Sequence, residues 1–392
     1  MNRKKIAMVL IACCTLASCN EELENEVMFD NAYQNKKVEV KQSTKQIAYS
    51  LATYLYSNQA EVTKLHQAIS IMVSYGLDEN LPVYDILSTN NSVFFTDASL
   101  FLNLRQAFDE DVLKSMGLSS SNYYGDLNVY WGYHDEWKGN TMPIIAYLDG
   151  NSTEDSIYGF KMGTSGIEEV TVRVTDFENV VYPIIILNFN ETNYSDYPDF
   201  KRGIRSKGGV VWAMPTTKEE DEDVEYNQWT DPTKLYEVDL VSFRDNKVQY
   251  DTWIAGGSEF YLETAFVNYS TNQIDSTIIR MDFTRSEIKK AKTKYYTSTS
   301  INDSWEANYN DMHIVLREQD YGSLDPISVS LSIPNVGSVS VTLPCKNQDD
   351  IIYNYSLSRM TYISGLNSAM RRNIGAGSCT IGTKLLISNK PY

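Results

Sequence analysis

The chain has 392 residues, with 34 Lys+Arg against 51 Asp+Glu, a net charge of −17, 3 His, 5 Cys and 28 Tyr. At this length, a hydrophobic content of 42% can fill two or three separate cores, which excludes disorder of the chain as a whole. The acidity excludes a nucleic-acid binder, because phosphate contacts need clustered cations and only one short run, Lys201 to Lys207, offers them.

The amino terminus reads as an export signal. Arg3, Lys4 and Lys5 precede the apolar run Ile6 to Leu16, and Leu16-Ala17-Ser18-Cys19 closes it with small residues before a cysteine. The apolar run is too short for a hydrocarbon core that needs about 20 residues, so residues 1–18 are expected to be a signal peptide and not a membrane helix. The end pattern resembles a bacterial lipobox. That resemblance implies that Cys19 is acylated and becomes the first residue of the mature protein. Losing Arg3, Lys4 and Lys5 with the leader takes the net charge from −17 to −20. Anionic headgroups repel such a surface, so attachment to the membrane rests on the N-terminal lipid, at about 0.8 kcal/mol per buried CH₂. Residues 19–42 begin Asn20-Glu21-Glu22-Leu23-Glu24-Asn25-Glu26 and read as a solvated tether. Acids beside the acylated cysteine are similar to the surface-export signals of Bacteroidetes lipoproteins. This implies an outer-membrane lipoprotein at the cell surface, with the periplasmic face as the other placement.

From 43 to 120 the apolar residues recur at helical spacing: Ile47, Leu51 and Leu55, then Val62, Leu65, Ile69, Met72 and Val73, with Gly76 as a stop. A third run holds Leu100, Leu104 and Phe108, between Asp97 as N-cap and Gly117. Leu81-Pro82-Val83 between them is extended, so the helical segment is expected to lean on the next domain. His66, inside the second run, has no His or Cys at helical spacing and reads as structural. From 121 to 214 the period becomes two. Leu127 to Trp131, Met142 to Leu148, Val170 to Val174 and Val180 to Phe189 read as strands, punctuated by Asp149-Gly150-Asn151 and Gly163-Thr164-Ser165-Gly166. Pro183 in the fourth run must start its strand or lie at an edge. Residues 215–234, with Glu219 to Asp223, form a charged linker.

Residues 235–392 carry strands at Tyr236 to Phe243, Phe260 to Val267, Thr277 to Phe283, Met312 to Arg317, Ile351 to Leu357 and Thr383 to Ile387. Ile327 to Ile333 and Ser338 to Leu343 alternate strictly, as in a hairpin. The fold class expected is therefore α+β and multidomain: a helical segment on a small β-sheet domain, then an antiparallel β-sandwich of C2-like or similar type. Cys345 and Cys379 fall at strand edges in the sandwich, and export permits a disulfide between them; two separate buried thiols are the alternative. The stretch Arg317-Glu318-Gln319-Asp320-Tyr321-Gly322-Ser323-Leu324-Asp325 leaves a strand with alternating acids. It resembles the calcium loop of C2-type sandwiches, which implies Glu318, Asp320 and Asp325 as Ca²⁺ ligands, with Asp245 or Asp251 contributing; a solvated acidic turn is the plainer reading.

Catalytic motifs are absent from the sequence. His66, His134 and His313 fall in different parts of the chain, so a triad is not expected, and no His-Glu-x-x-His, Walker A or dinucleotide fingerprint occurs. Trp229, Trp253 and Trp305, with Tyr295, Tyr296 and Tyr309, lie near loop segments where aromatic rings could stack on sugars. Asp155-Ser156-Ile157 and Asp275-Ser276-Thr277 resemble the O-glycosylation sequons of exported Bacteroidetes proteins. The order of tether, helical segment, sheet and sandwich, with the strand Pro183 to Glu191, is similar to uncharacterised Bacteroidetes lipoprotein families, which transfer no catalytic residue. The function expected is a lipid-anchored binding or adhesion module for a glycan or another envelope protein. A carbohydrate-active hydrolase with a carboxylate pair is the first alternative, and a structural envelope component without ligand the second.

Overall fold

The computed structural model describes residues 44–83, 86, 107–108, 127–148, 152–153, 155–189, 210–216, 234–268, 273–306, 311–319, 327–333, 337–343 and 349–388. The protein is mostly β, with its two longer helices at the amino-terminal side, an α+β fold with sandwich-like sheets. No helix among these residues is long and apolar enough to cross a membrane. The leader with Cys19, the tether, the third helical run apart from Ala107 and Phe108, residues 217–233 of the charged linker (Trp229 among them), Tyr309, Asp320, Asp325 and Cys345 lie outside them.

Two amphipathic helices begin the described chain: α1, residues 44–57, and α2, Gln59–Ser74. Their apolar positions, Ile47, Leu51 and Leu55, then Val62, Leu65, Ile69 and Met72, are all buried, as the spacing predicts. Gly76 follows α2 at φ +89°, a conformation that L side chains rarely adopt.

These helices cover one face of a six-stranded sheet whose order is β1-β2-β6-β3-β4-β5. The strands are β1 (Asn80–Pro82), β2 (Leu127–Tyr130), β3 (Ile144–Tyr147), β4 (Ser156–Gly163), β5 (Gly166–Arg173) and β6 (Ile184–Phe189). Central strand β6 is buried on both faces, which is why Ile184 to Leu187 reads as an unbroken apolar run: Ile185 and Leu187 meet the helices, and Ile184 and Ile186 meet a second core. Pro183 precedes β6, so its missing N–H costs no ladder bond; its carbonyl accepts from Ile144 N at 2.9 Å. The run Val170 to Val174 lies in β5 and its exit, and the expected strand start at Val180 is instead a turn after a short helix, α3 (Val174–Glu178). Gly163 pairs with Gly166 across a two-residue turn, so the turn motif joins β4 to β5.

The carboxyl-terminal part is two five-stranded sheets over one shared core. One sheet is ordered β16-β13-β10-β11-β7 and the other β17-β18-β9-β12-β8. Their strands are β7 (Val210–Trp212), β8 (Pro215–Thr216), β9 (Tyr236–Asp245), β10 (Ser258–Asn268), β11 (Gln273–Phe283), β12 (Lys294–Trp305), β13 (Asp311–Glu318), β16 (Asp350–Ser358), β17 (Arg371–Ala376) and β18 (Cys379–Ile387). The predicted hairpin is present as β14 (Ile327–Ile333) and β15 (Gly337–Leu343), in full antiparallel register. Residues 210–216, which the periodicity places in the sheet domain and at the linker's start, instead add an edge strand to each sandwich sheet. β7 pairs in parallel with β11, and β8 pairs with β12. Two short helices complete the fold: α4 (Arg285–Lys289) between β11 and β12, and α5 (Arg359–Ser364) between β16 and β17.

Candidate functional site

Two of the three tryptophans expected to be ligand platforms are core residues. Trp253 is 6% exposed and its ring stands 5.4 Å from Phe177, sealing the second face of the six-stranded sheet. Trp305 is 1% exposed in the sandwich core, 5.4 Å from Tyr362. Large rings contribute most when removed from water, so burial takes both away from any sugar. His66 is structural: its Nε2 lies 3.0 Å from the His134 carbonyl and its ring packs between Trp131 and Trp137. Cys379 carries a buried thiol whose Sγ lies 3.4 Å from Asp245 Oδ2, and burial pushes its pKa up.

Glu318 meets two other acids among the described residues: Asp251, expected from the sequence to contribute, and Glu259. Ligand oxygens of Asp251, Glu259 and Glu318 lie within 4.8 Å of one another. Three carboxylates form a hard-oxygen donor set of the kind calcium takes, and no nitrogen or sulfur ligand takes part. Two features oppose a cation there. The guanidinium of Arg280 stands 3.7 Å from Glu259 Oε1, and burial, reinforced by the charges of Asp78 and Asp251, raises the Glu259 pKa well above the usual range, so that protons also neutralise the cluster.

This trio belongs to a charged junction between the two parts of the fold. The chain reaches it through Asp78-Glu79-Asn80, where Gly256 (φ +148°) makes room: a Cβ there would stand 2.4 Å from Asn80 Nδ2. Asn188 Nδ2 donates to the carbonyls of Ile254 and Ala255 at 2.9 and 2.8 Å. Arg285, 2% exposed, donates to Glu178 Oε1 at 3.0 Å and to the carbonyls of Asp251, Thr252 and Gly256 at 3.1, 2.6 and 3.1 Å. Its backbone N–H donates to Glu79 Oε1 at 3.1 Å. Arg280 is locked onto Asp282 by two bonds of 2.7 and 3.0 Å. Burial, then the charge of Asp282, raises Asp78 to about 6.

Beside this junction lies a cavity of about 580 Å³ between α2 and the β8–β12 edge of the sandwich. Its wall on the helix side carries Ser70, Val73 and Ser74; on the sandwich side stand Pro215, Thr216, Glu287, Lys292, Thr293, Lys294 and Tyr295. Local sequence builds the polar wall. Thr284-Arg285-Ser286-Glu287 is a capping box: Thr284 Oγ1 accepts from Glu287 N at 3.1 Å, and Glu287 Oε2 accepts from Thr284 N at 3.0 Å. The same carboxylate receives Lys292 Nζ and Lys294 Nζ, each at 2.8 Å. Burial works to raise the Glu287 pKa, but Lys294 and Lys292 outweigh it and bring it down to about 2. Of the aromatics expected to contact a sugar, Tyr295 lines this cavity, half-buried. The S/T-x-x-E pattern at 284–287 is legible in the sequence and would have located α4 and the lysines that follow it.

A second groove of about 470 Å³ lies over β3, β4 and β5, with Met142, Ile144, Met162, Val170 and Tyr182 in its wall and Lys161 and Asp176 at its polar points. For a hydrolase, neither depression offers a pair of titrating carboxylates among its described lining residues. Glu287 stays ionised at neutral pH and holds no proton to donate. No family model matches the chain, and no curated protein matches it.

Proposed function

We propose that this chain is an exported, Cys19-acylated lipoprotein that binds a glycan, with the junction cavity as its ligand site. The observation that supports this reading is the cavity itself, about 580 Å³ at a contact between two parts of the fold, within the size range of small-molecule sites. A half-buried Tyr295 ring and a wall of hydroxyls and amines are the combination that a polyol with an apolar face uses. The ligand contacts move from the tryptophans of the sequence reading to Tyr295. The sandwich serves as a C2-like carrier: its two sheets hold the polar wall rigid, while the lipid keeps an acidic body at the membrane.

The test has two arms. Metabolic labelling with an alkyne fatty acid should mark the native chain and not Cys19→Ser; equal labelling of the two would reject acylation at that residue. Full chain in detergent, applied to a glycan array, should retain at least one glycan and lose it in Tyr295→Ala at unchanged melting temperature. Silence across the array would leave a structural envelope role in its place.

A further inference from the structure

We propose that the junction cavity selects an acidic sugar, one carrying a carboxylate or sulfate, over a neutral one. This rests on the glycan reading and narrows it. The sandwich wall presents ammonium groups: Lys292, whose side chain is 57% exposed, uses one N–H on Glu287 and has three to give. Lys294, 5% exposed, is held by Glu287 Oε2 and by the Asp282 carbonyl at 2.6 Å. Glu287 balances one of the two ammonium groups, so the described wall keeps a positive charge in a chain whose net charge is −17.

The opposite wall presents acceptors. Ser70 Oγ donates to the His66 carbonyl at 2.8 Å and Ser74 Oγ donates to the Ile71 carbonyl at 2.6 Å, so each hydroxyl turns lone pairs, not its proton, toward the cavity. An oxyanion on one side of a sugar ring and hydroxyl donors on the other match these two walls. A neutral sugar forgoes the ammonium contact, and a cationic ligand is repelled by it. Glu287 is a positioning residue here, since it fixes where the ammonium groups stand and is turned away from the role of ligand partner by its two lysines.

The experiment is calorimetric titration of the full chain in detergent, at fixed ionic strength, with three oligosaccharides: oligogalacturonate, a sulfated galactan fragment and neutral galactan. Binding of either acidic oligosaccharide at least tenfold tighter than the neutral one, weakened at least tenfold in Lys292→Gln with an unchanged melting temperature, is the expected result; which acid binds names the oxyanion. Equal affinity for neutral galactan would overturn the acidic preference and leave the glycan reading standing. Acidic binding that Lys292→Gln and Ser70→Ala both leave untouched would overturn the placement in this cavity. No binding to any of the three, with an empty glycan array, would remove the glycan reading itself.

Discussion

Glu259 shows how single residues at the junction respond to pH. Burial raises its pKa well above the ordinary glutamate value, so the folded state binds its proton more tightly than the unfolded chain does. The sign follows: stability is greatest below the unfolded value and falls as pH rises toward the folded one. Asp78 does the same between 3.8 and about 6. His134 runs the other way, because burial lowers its pKa from 6.5 to about 4, so its contribution rises with pH across that interval. Asp78 and His134 therefore work against each other, while buried Glu79 is raised in the same direction as Glu259 and adds to its trend. Glu259→Gln is therefore expected to flatten the fall in stability as pH rises, read by denaturant unfolding of both proteins across a pH series. Added calcium separates the two ways of neutralising the trio. If the cation shares the site, calcium at pH 8 raises the melting temperature of the native chain and not of Glu259→Gln. At this scale the sequence was only partly legible: Glu318 and Asp251 are among the acids expected at the loop and they meet in space, but Glu259 of β10 is not among those expected. Trp253 and Trp305 stand among polar loop residues in sequence, and only packing against Phe177 and Tyr362 shows that they face inward.

Among the elements, α4 matters most for the cavity although it spans only Arg285–Lys289. It is held at its start by the reciprocal Thr284–Glu287 bonds, and Glu287 in turn orients Lys292 and Lys294. Thr284→Ala removes one of the two reciprocal bonds and should cost about 1–2 kcal/mol in denaturant unfolding. It should also weaken acidic-sugar affinity by loosening Glu287, whereas Thr284→Ser should restore both. The strands show which patterns reveal themselves. Strict alternation in 327–333 and 338–343 announces the hairpin, because side chains on successive residues point to opposite faces. β12 is written Lys294-Tyr295-Tyr296-Thr297-Ser298-Thr299-Ser300-Ile301-Asn302-Asp303-Ser304-Trp305 and was missed. Register shifts along its pairing with β9 break the period that would have exposed it. β7 and β8 are too short to carry a period at all, and their pairing with β11 and β12 supplies what their own residues do not.

For the molecule as a whole, the decisive contact is the charged junction. Arg285 joins Glu178 of the first part to three carbonyls of the second, and its N–H meets Glu79. Lys290 adds exposed bridges to Asp135 and Glu136, which contribute little by comparison. Arg285→Ala leaves carboxylates and carbonyls without their cation and should destabilise by about 3–5 kcal/mol. Hydrogen exchange should then speed up on both sides of the junction, in 76–82 and 251–258 together; acceleration confined to α4 would show that the two parts are coupled elsewhere. By itself the sequence determined the helices α1 and α2, most sandwich strands, the β14–β15 hairpin and the stop at Gly76, because local periodicity and turn chemistry encode them within a few residues. The reading as an acylated, exported protein rests on residues 1–19 alone. Only the tertiary structure decided which acids share a site, which aromatics remain accessible and that a cavity opens between α2 and β12. Residues 70, 216, 287 and 295 meet there through sheet pairing and domain contact, and separations of that length leave no trace in a local pattern.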